Sequence, residues 1–499
     1  MPSFSNRSLP PRLADLEQEI KGYAKEMGLD FYEVIFELLT YDEVNMVAAY
    51  GGYPNRYPHW RHGMQYEQLS KGYEYGLSKI YEMVINNDPT YAYLLESNPE
   101  VDQKLVMAHV YGHGDFFKNN FSFAHTNRKM MDEMANHATR VRRWIDRIGI
   151  EPIEDFIDRC LSLENLIDYH APYIKRGPSH VPAGEVEDER IRGLKSDREY
   201  MSKFINPPEY LAALQQKQDE ERNRKRRFPE RPERDVLAFL LENAPLEPWE
   251  QEILAIIREE AYYFAPQGQT KIMNEGWASF AHTTIMTTRA LRDSEVIDYA
   301  DHHAGTVSMR PGSINPYKIG LELYRDIEDR WNKGKFGKEW DDCDDMAERQ
   351  RWDKQLGLGR QKIFEVRKHY NDVTFIDEFL TPEFCLEHKL FVYGYNDKHQ
   401  AWEILSRDFK GIKEKLLHQL TNFGQPIIEV VDANWDNRSE LMLVHKHDGV
   451  DLKIDDARFT LMNVQSLWRR PVNLFTRVEG KSVILRFDGK EHSDRKAEL

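Results

Sequence analysis

Apolar residues recur every three to four positions through most of the first 170 residues, and almost nothing there alternates with period two. That pattern gives a helix one stripe to bury and gives a strand no face, so this part of the chain is expected to be mainly α. Pro11 stands near a helix start, with Leu13, Leu16, Ile20, Tyr23, Ala24 and Met27 following at helical spacing. Phe31, Val34, Ile35, Leu38 and Leu39 continue that spacing and predict a second helix. Residues 50–63 hold too many Gly, Pro and aromatic residues for regular structure. Helical periodicity resumes near Tyr66 and runs to about Val84. Ser97-Asn98-Pro99, with Glu100 and Asp102 in the first turn, starts a helix that is predicted to pass through His109 and His113 to about Asn119. Further helical patterns occupy 127–148 and 151–169.

From 175 to 235 the texture changes to a polar, Pro-punctuated stretch ending in mixed charge, which reads as an insertion or linker. Helices return at 249–264 and 271–292, and Asn315-Pro316 leads another to about Trp331. Four β-rich runs follow: 388–395, 426–432, 441–445 and 482–487, with a helix expected over 402–423. The predicted organisation is a helical domain at 1–175, an insertion at 176–235, a helical region at 236–384 packing on the first, and an α+β domain at 385–499. The fold class is therefore a mainly α N-terminal region followed by a smaller α+β domain of four or five strands.

Charge narrows the function. Lys and Arg number 68 against 84 Asp and Glu, a net −16. Such a surface repels a phosphate backbone, so nucleic-acid binding is not expected, and the Arg222–Arg227 segment is interrupted by acidic neighbours. Cys160, Cys343 and Cys385 are too far apart in sequence for a disulfide framework or zinc ribbon. No secretory signal or membrane-spanning run is visible, which predicts a cytoplasmic protein. No phosphate-binding glycine loop occurs, so ATP use is not indicated.

His109-Val110-Tyr111-Gly112-His113 sets two imidazoles four residues apart on a helix, about 40° and one turn from each other, so both can reach one metal ion. The alternative is two histidines on a packed face. Gly112 and Gly114 flank His113, and each costs about 1 kcal/mol in a helix interior. Close approach of another segment or a ligand would repay that cost. In Met273–His282, a helix puts Glu275, Ala278, Ser279 and His282 on one face, where a carboxylate flanked by small residues suits a third metal ligand. Asp301-His302-His303-Ala304-Gly305 reads as a loop of which at most one histidine joins a common site. His59-Trp60-Arg61-His62 reads more readily as a satisfied loop network.

These strings resemble the stage V sporulation protein R (SpoVR) family. The similarity is carried by His59-Trp60 with the following helix, His109 to Asn120, Asn274-Glu275-Gly276-Trp277-Ala278, and Pro311–Leu323 with Asn315-Pro316-Tyr317. It runs over nearly the whole chain. The resemblance implies a bacterial cytoplasmic protein linked to making the spore cortex, or to envelope or stress physiology where no spores form. It supplies no mechanism.

The His-x-x-x-His pair followed far downstream by Asn-Glu-Gly-x-Ala also looks like the gluzincin metallopeptidase arrangement. That resemblance implies a gluzincin-like helical core, with His109, His113 and Glu275 as ligands of a divalent metal, zinc. The chain departs from it at Val110, where the peptidase general base stands, and valine cannot take a proton. His303, His282 and Asp115 are the other proton carriers to hand, His303 first because a loop can fold over the site. Asp115 lies about 200° round the helix from His113 and is expected to face away. Two functions remain open. One is a metal-dependent hydrolase of an amide or peptidoglycan-related substrate, either a small molecule or a peptide. The other is a non-catalytic regulator, stabilised by metal, that docks a protein partner through its C-terminal domain.

Overall fold

Thr40 ends one element and starts the next. Its side chain and that of Glu43 cap each other's backbone, which fixes the start of helix Tyr41–Ala49. The segment before it, Val34–Leu39, is strand β1, not the helix that its spacing predicted. A six-residue run with five apolar residues fits both periods, and pairing decides between them. Here β1 lies parallel to β3 (Thr90–Leu95), while β2 (Met83–Ile85) lies antiparallel to β3's other edge. The helix expected from Tyr66 to Val84 is replaced at its end by β2, and the observed helix Trp60–Glu74 begins earlier, inside the 50–63 stretch expected to be irregular.

The computed structural model describes residues 9–74, 82–174 and 228–497, with scattered positions between 207 and 216. Most of the 176–235 insertion, including Arg222–Arg227, lies outside the described residues. The chain divides into two units, Met1–Glu154 with Tyr263–Gly424 and Asp155–Tyr262 with Gln425–Leu499. No helix among the described residues is long and apolar enough to cross a membrane.

The first unit is mainly helical and is built around three helices in close contact. Glu100–Asn119, the histidine helix, is buried over nearly its whole length. Lys271–Ile285, the glutamate helix, packs on it, and Pro316–Lys333, the tyrosine helix, packs on the glutamate helix. Glycines allow the approach. A methyl group at Gly112 would stand 2.7 Å from Ala278 Cα, and one at Gly276 would stand 2.4 Å from Gly320 Cα. Of the two interior glycines beside His113, Gly112 therefore admits a helix backbone, whereas Gly114 faces the Phe31 side chain, 3.3 Å from its missing methyl. Thr270 gives the glutamate helix no side-chain cap, and Asp372 supplies one by accepting the N–H groups of Ile272 and Met273 at 2.8 and 2.9 Å. Tyr111, Phe116, Trp277, Tyr324 and Phe375 fill the core between these helices.

Residues 296–306, around Asp301–Gly305, form a helix where a loop was expected. Tyr299 and His303, one turn apart on it, stack with ring centres 5.7 Å apart. The unit ends with hairpin β4 (Val392–Asn396) and β5 (Ala401–Ser406), then helix Phe409–Leu420. The helix expected over 402–423 thus yields its first residues to β5.

The second unit carries a five-stranded sheet in the order β10-β9-β8-β7-β6, formed by His492–Lys496, Lys481–Phe487, Val472–Val478, Glu440–His445 and Ile428–Trp435 respectively. β7 and β8 are parallel, and helix Ile454–Trp468 supplies the crossover that a parallel connection needs. Leu461, Val464 and Leu467 of that helix are buried, as are Leu441, Leu443, Leu474 and Leu485 of the sheet. The edge strand β10, His-Ser-Asp-Arg-Lys, is polar and mostly exposed, which discourages pairing with another chain. This is the α+β architecture expected for the C-terminal part.

Candidate metal centre

His109 and His113 project from the middle of the histidine helix, one turn apart, with ring centres 4.6 Å from each other. Both are buried, and both are held at Nδ1 by the glutamate helix. His113 Nδ1 donates to Asn274 Oδ1 at 2.8 Å, and His109 Nδ1 meets His282 Nδ1 at 2.7 Å. With Nδ1 engaged, each Nε2 turns the other way, toward two carboxylates. Glu275 Oε2 lies 3.6 Å from His109 Nε2 and 3.4 Å from His113 Nε2. Glu82 Oε1 lies 3.0 and 3.8 Å from the same two nitrogens. These four residues form a group whose donor atoms all lie within 4.8 Å of one another, the arrangement that could hold a metal ion.

Two atoms at the centre are left over. His109 Nε2 and Glu275 Oε2 are buried and make no hydrogen bond among the described residues, although they face each other. An orphaned acceptor and an orphaned ring nitrogen aimed at one point fit a cation placed between them. Electrostatics agree. Burial alone would push both imidazoles down, but the facing Glu275 and Glu82 carboxylates outweigh it and raise both. Burial would likewise raise the carboxylates, and the histidines hold both low, so they are ionised. Lys271 Nζ adds an ion pair to Glu275 Oε1 at 2.7 Å.

Tyr317, in the first turn of the tyrosine helix, stacks on His109 at 6.1 Å. Burial and the charges of Glu275 and Glu82 raise its pKa, so its hydroxyl keeps its proton. The structure thus brings together His109, His113 and Glu275, which the sequence nominated, with Glu82 and Tyr317, which it did not. Tyr317 had a signal in the Asn315-Pro316 helix start. Glu82 had none, since it is an isolated carboxylate just ahead of β2.

The nominated proton carriers stand elsewhere. His282 sits behind His109, on the Nδ1 side of its ring and away from the carboxylates. Burial first, and then the neighbouring His109, lower its pKa well below the usual value, so it is neutral. His303 reaches only as far as His282, with ring centres 5.7 Å apart, while His302 bonds Asp102 of the histidine helix. Asp115 is fully buried on another face, where it accepts from Trp277 Nε1 at 2.8 Å. His62 bonds the Ala49 carbonyl at 3.1 Å and packs edge-on against Tyr50 and Tyr57, a local network.

Fold and site define a mainly helical protein with a buried cluster of two histidines and two glutamates. The chain belongs to the SpoVR family: the family described as SpoVR like protein matches residues 8–425, and the SpoVR-like C-terminal domain matches 426–479. The boundary between the two matches falls one residue beyond the break between Gly424 and Gln425, and the first match also covers Asp155–Tyr262 of the second unit. The uncharacterized protein YcgB of Escherichia coli strain K12 is 30% identical over 507 aligned residues, spanning 94% of this chain and 92% of that one. No solved structure matches the chain.

Proposed function

We propose that His109, His113, Glu275 and Glu82 surround one divalent metal ion, zinc, and that the centre hydrolyses an amide bond in a peptide or peptidoglycan-related substrate. Spacing carries the metal reading. Donors about 2.0–2.1 Å from a tetrahedral ion stand about 3.3 Å from one another. The four imidazole–carboxylate distances, 3.0, 3.4, 3.6 and 3.8 Å, straddle that value. Two imidazoles and two ionised carboxylates suit a borderline divalent ion and offset its charge.

Zinc with an accessible fourth position supplies a bound water of pKa about 7. Exposure supports a division of labour around it. The side chains of His109, His113 and Glu275 are 3%, 4% and 9% exposed, whereas Glu82 is 20% exposed and lines the open side. Glu82 is the acid–base group that Val110 cannot be, and the Tyr317 hydroxyl is the donor for a developing oxyanion. His282 positions His109, and His303 supports His282. SpoVR membership supports a setting in sporulation, including the cortex, or in envelope and stress physiology. The gluzincin resemblance supports reading His109, His113 and Glu275 as the three protein ligands.

A second reading rests on the same spacing. Four protein donors complete a tetrahedron, which is the mark of a structural zinc site. The protein would then be a metal-stabilised regulator acting through a partner of its C-terminal domain.

Elemental analysis of the wild type beside the His109→Ala/Glu275→Gln double variant tests the centre. About one ion per chain is expected, lost in the folded double variant. No metal in the wild type after reconstitution overturns the proposal. Glu82→Gln separates the readings: hydrolysis expects the ion to be retained, and a structural site expects it to be lost.

A further inference from the structure

Away from the cluster, the loop before the tyrosine helix, the end of helix Pro382–Glu387, the β4–β5 hairpin and helix Phe409–Leu420 enclose a cavity of about 290 Å³. Its lining includes Arg310, Lys318, Lys389 and Lys415 and no carboxylate. None of the four cations makes an ion pair or a side-chain hydrogen bond among the described residues. Nearby lysines do: Lys413 pairs with Asp377 at 2.9 Å and Lys410 with Glu414. In a chain of net charge −16, four unpaired cations around one hollow are a local reversal of the field.

Most of the remaining lining is apolar or aromatic, with Ser313, His388 and Gln419 as its polar members. Leu390, Ile412 and Leu416 are buried beneath it, and the Trp402 indole beside it is 51% exposed. The turn Arg310-Pro311-Gly312-Ser313 closes through Ser313 N–H to Arg310 C=O at 3.1 Å, with Gly312 at φ +77°. A methyl group at Gly312 would touch the indole at 3.3 Å, so the turn backs one part of the ring while the remainder stays open.

Lys389 is the informative residue. It occupies the position after the helix cap, with Leu390 N–H bonded to Cys385 C=O and Lys389 N–H to Leu386 C=O. This is the Schellman pattern, whose left-handed residue is usually glycine. Lysine stands there at φ +54°, a conformation that costs an L-residue energy. Glycine would take this conformation at less cost, and the lysine that stands there instead adds a cation to the cavity.

We infer that this cavity binds a small aromatic anion of the nucleoside monophosphate class, its ring against Trp402 and its phosphate among the four cations. The volume of about 290 Å³ lies at the small end of ligand sites and suits a mononucleotide. The apolar floor favours a flat ring over a hydrated sugar alone, and the cations require at least one ionised group. The site adjoins the metal cluster through Lys318, next to Tyr317 in the tyrosine helix, but none of the four cluster residues lines it.

Calorimetry on the full chain with AMP, GMP, CMP and UMP, and with adenosine and inorganic phosphate as controls, tests this. At least one nucleotide is expected to bind about tenfold tighter than either control, less tightly as salt rises. Trp402→Ala and Lys389→Gly should each weaken that binding about tenfold, while Lys389→Gly leaves the melting temperature unchanged or higher because it relieves the backbone. Failure of all four nucleotides to bind overturns the inference, and so does unaltered binding by Lys389→Gly. Binding lost in Glu275→Gln but kept in Lys389→Gly would put the nucleotide at the metal cluster and overturn it as well.

Discussion

His109 and His282 meet Nδ1 to Nδ1 at 2.7 Å, so one of the two nitrogens carries a proton and the other accepts it. The contact fixes the plane of the His109 ring and directs its Nε2 at Glu82 and Glu275. Partners of this kind behind a ligating histidine are worth about 10- to 100-fold in metal affinity. His282→Ala should lower affinity by that factor in chelator competition, whereas His303→Ala, one ring further back, should change it little. Equal effects of the two variants would mean that His282 does not orient His109.

Helix spacing makes a second prediction. Gly276 and Gly320 touch backbone to backbone, and a methyl at Gly276 would stand 2.4 Å from Gly320 Cα, where no rotamer can relieve it. Gly276→Ala should therefore cost about 3 kcal/mol, at the upper end for overpacking. Gly22 is the control. It lies exposed in helix Pro11–Glu26 with nothing within 4 Å of its missing methyl, and Gly22→Ala should stabilise by about 0.5–1 kcal/mol. Urea unfolding of both variants checks the pair of signs.

His62 gives the protein an acid-sensitive element. Burial first, and then Arg56, lower its pKa to about 4 from the usual 6.5. Between those values the unfolded chain binds the proton that the folded chain refuses. The stability from His62 is thus fully present above pH 6.5 and is lost as pH falls to about 4. The ring is partly open to water, which limits the effect to about 1–2 kcal/mol. His62→Gln should remove this share, so the stability difference between variant and wild type should shrink as pH drops through the window. Parallel stability curves would contradict it.

What could be read from the sequence was what is local. His109 and His113 face one way because they are four apart on one helix, and Glu275 was visible because Gly276 and Ala278 clear its face. Gly112 signalled a close neighbour because glycine in a helix interior is costly without one. Glu82 was invisible because only the path of the chain brings it to the histidines, and no spacing records that path. Val34–Leu39 differs from the helix expected there because five apolar residues in six satisfy two periods, and its partner β3 lies 56 residues on, Val34 opposite Thr90. His303 was placed in a loop, yet its stacking with Tyr299 belongs to a helix turn, and that helix aims it at His282 and not at the carboxylates.

Asp115, a buried carboxylate on the histidine helix, supports a prediction opposite in kind to those at the cluster. It is fully buried, accepts from Trp277 Nε1 and from Asp30 N–H at 2.8 Å each, and lies 3.4 Å from Arg367 Nε. Burial raises its pKa to about 6 against the pull of Arg367, whose guanidinium also lies over the Trp277 and Phe364 rings. Asp115→Asn leaves that guanidinium buried without a counter-charge, which costs about 3–5 kcal/mol. Replacing both partners with apolar residues, Asp115→Leu with Arg367→Leu, should recover much of the loss, because no charge is then stranded. Through all of this the metal content of the folded protein should stay near that of the wild type, since the carboxylate lies on a different face from His113 Nε2. Unfolding midpoints and elemental analysis of the three proteins read the two effects separately. Metal lost from a folded Asp115→Asn variant would show that Asp115 acts on the cluster and not only on the core.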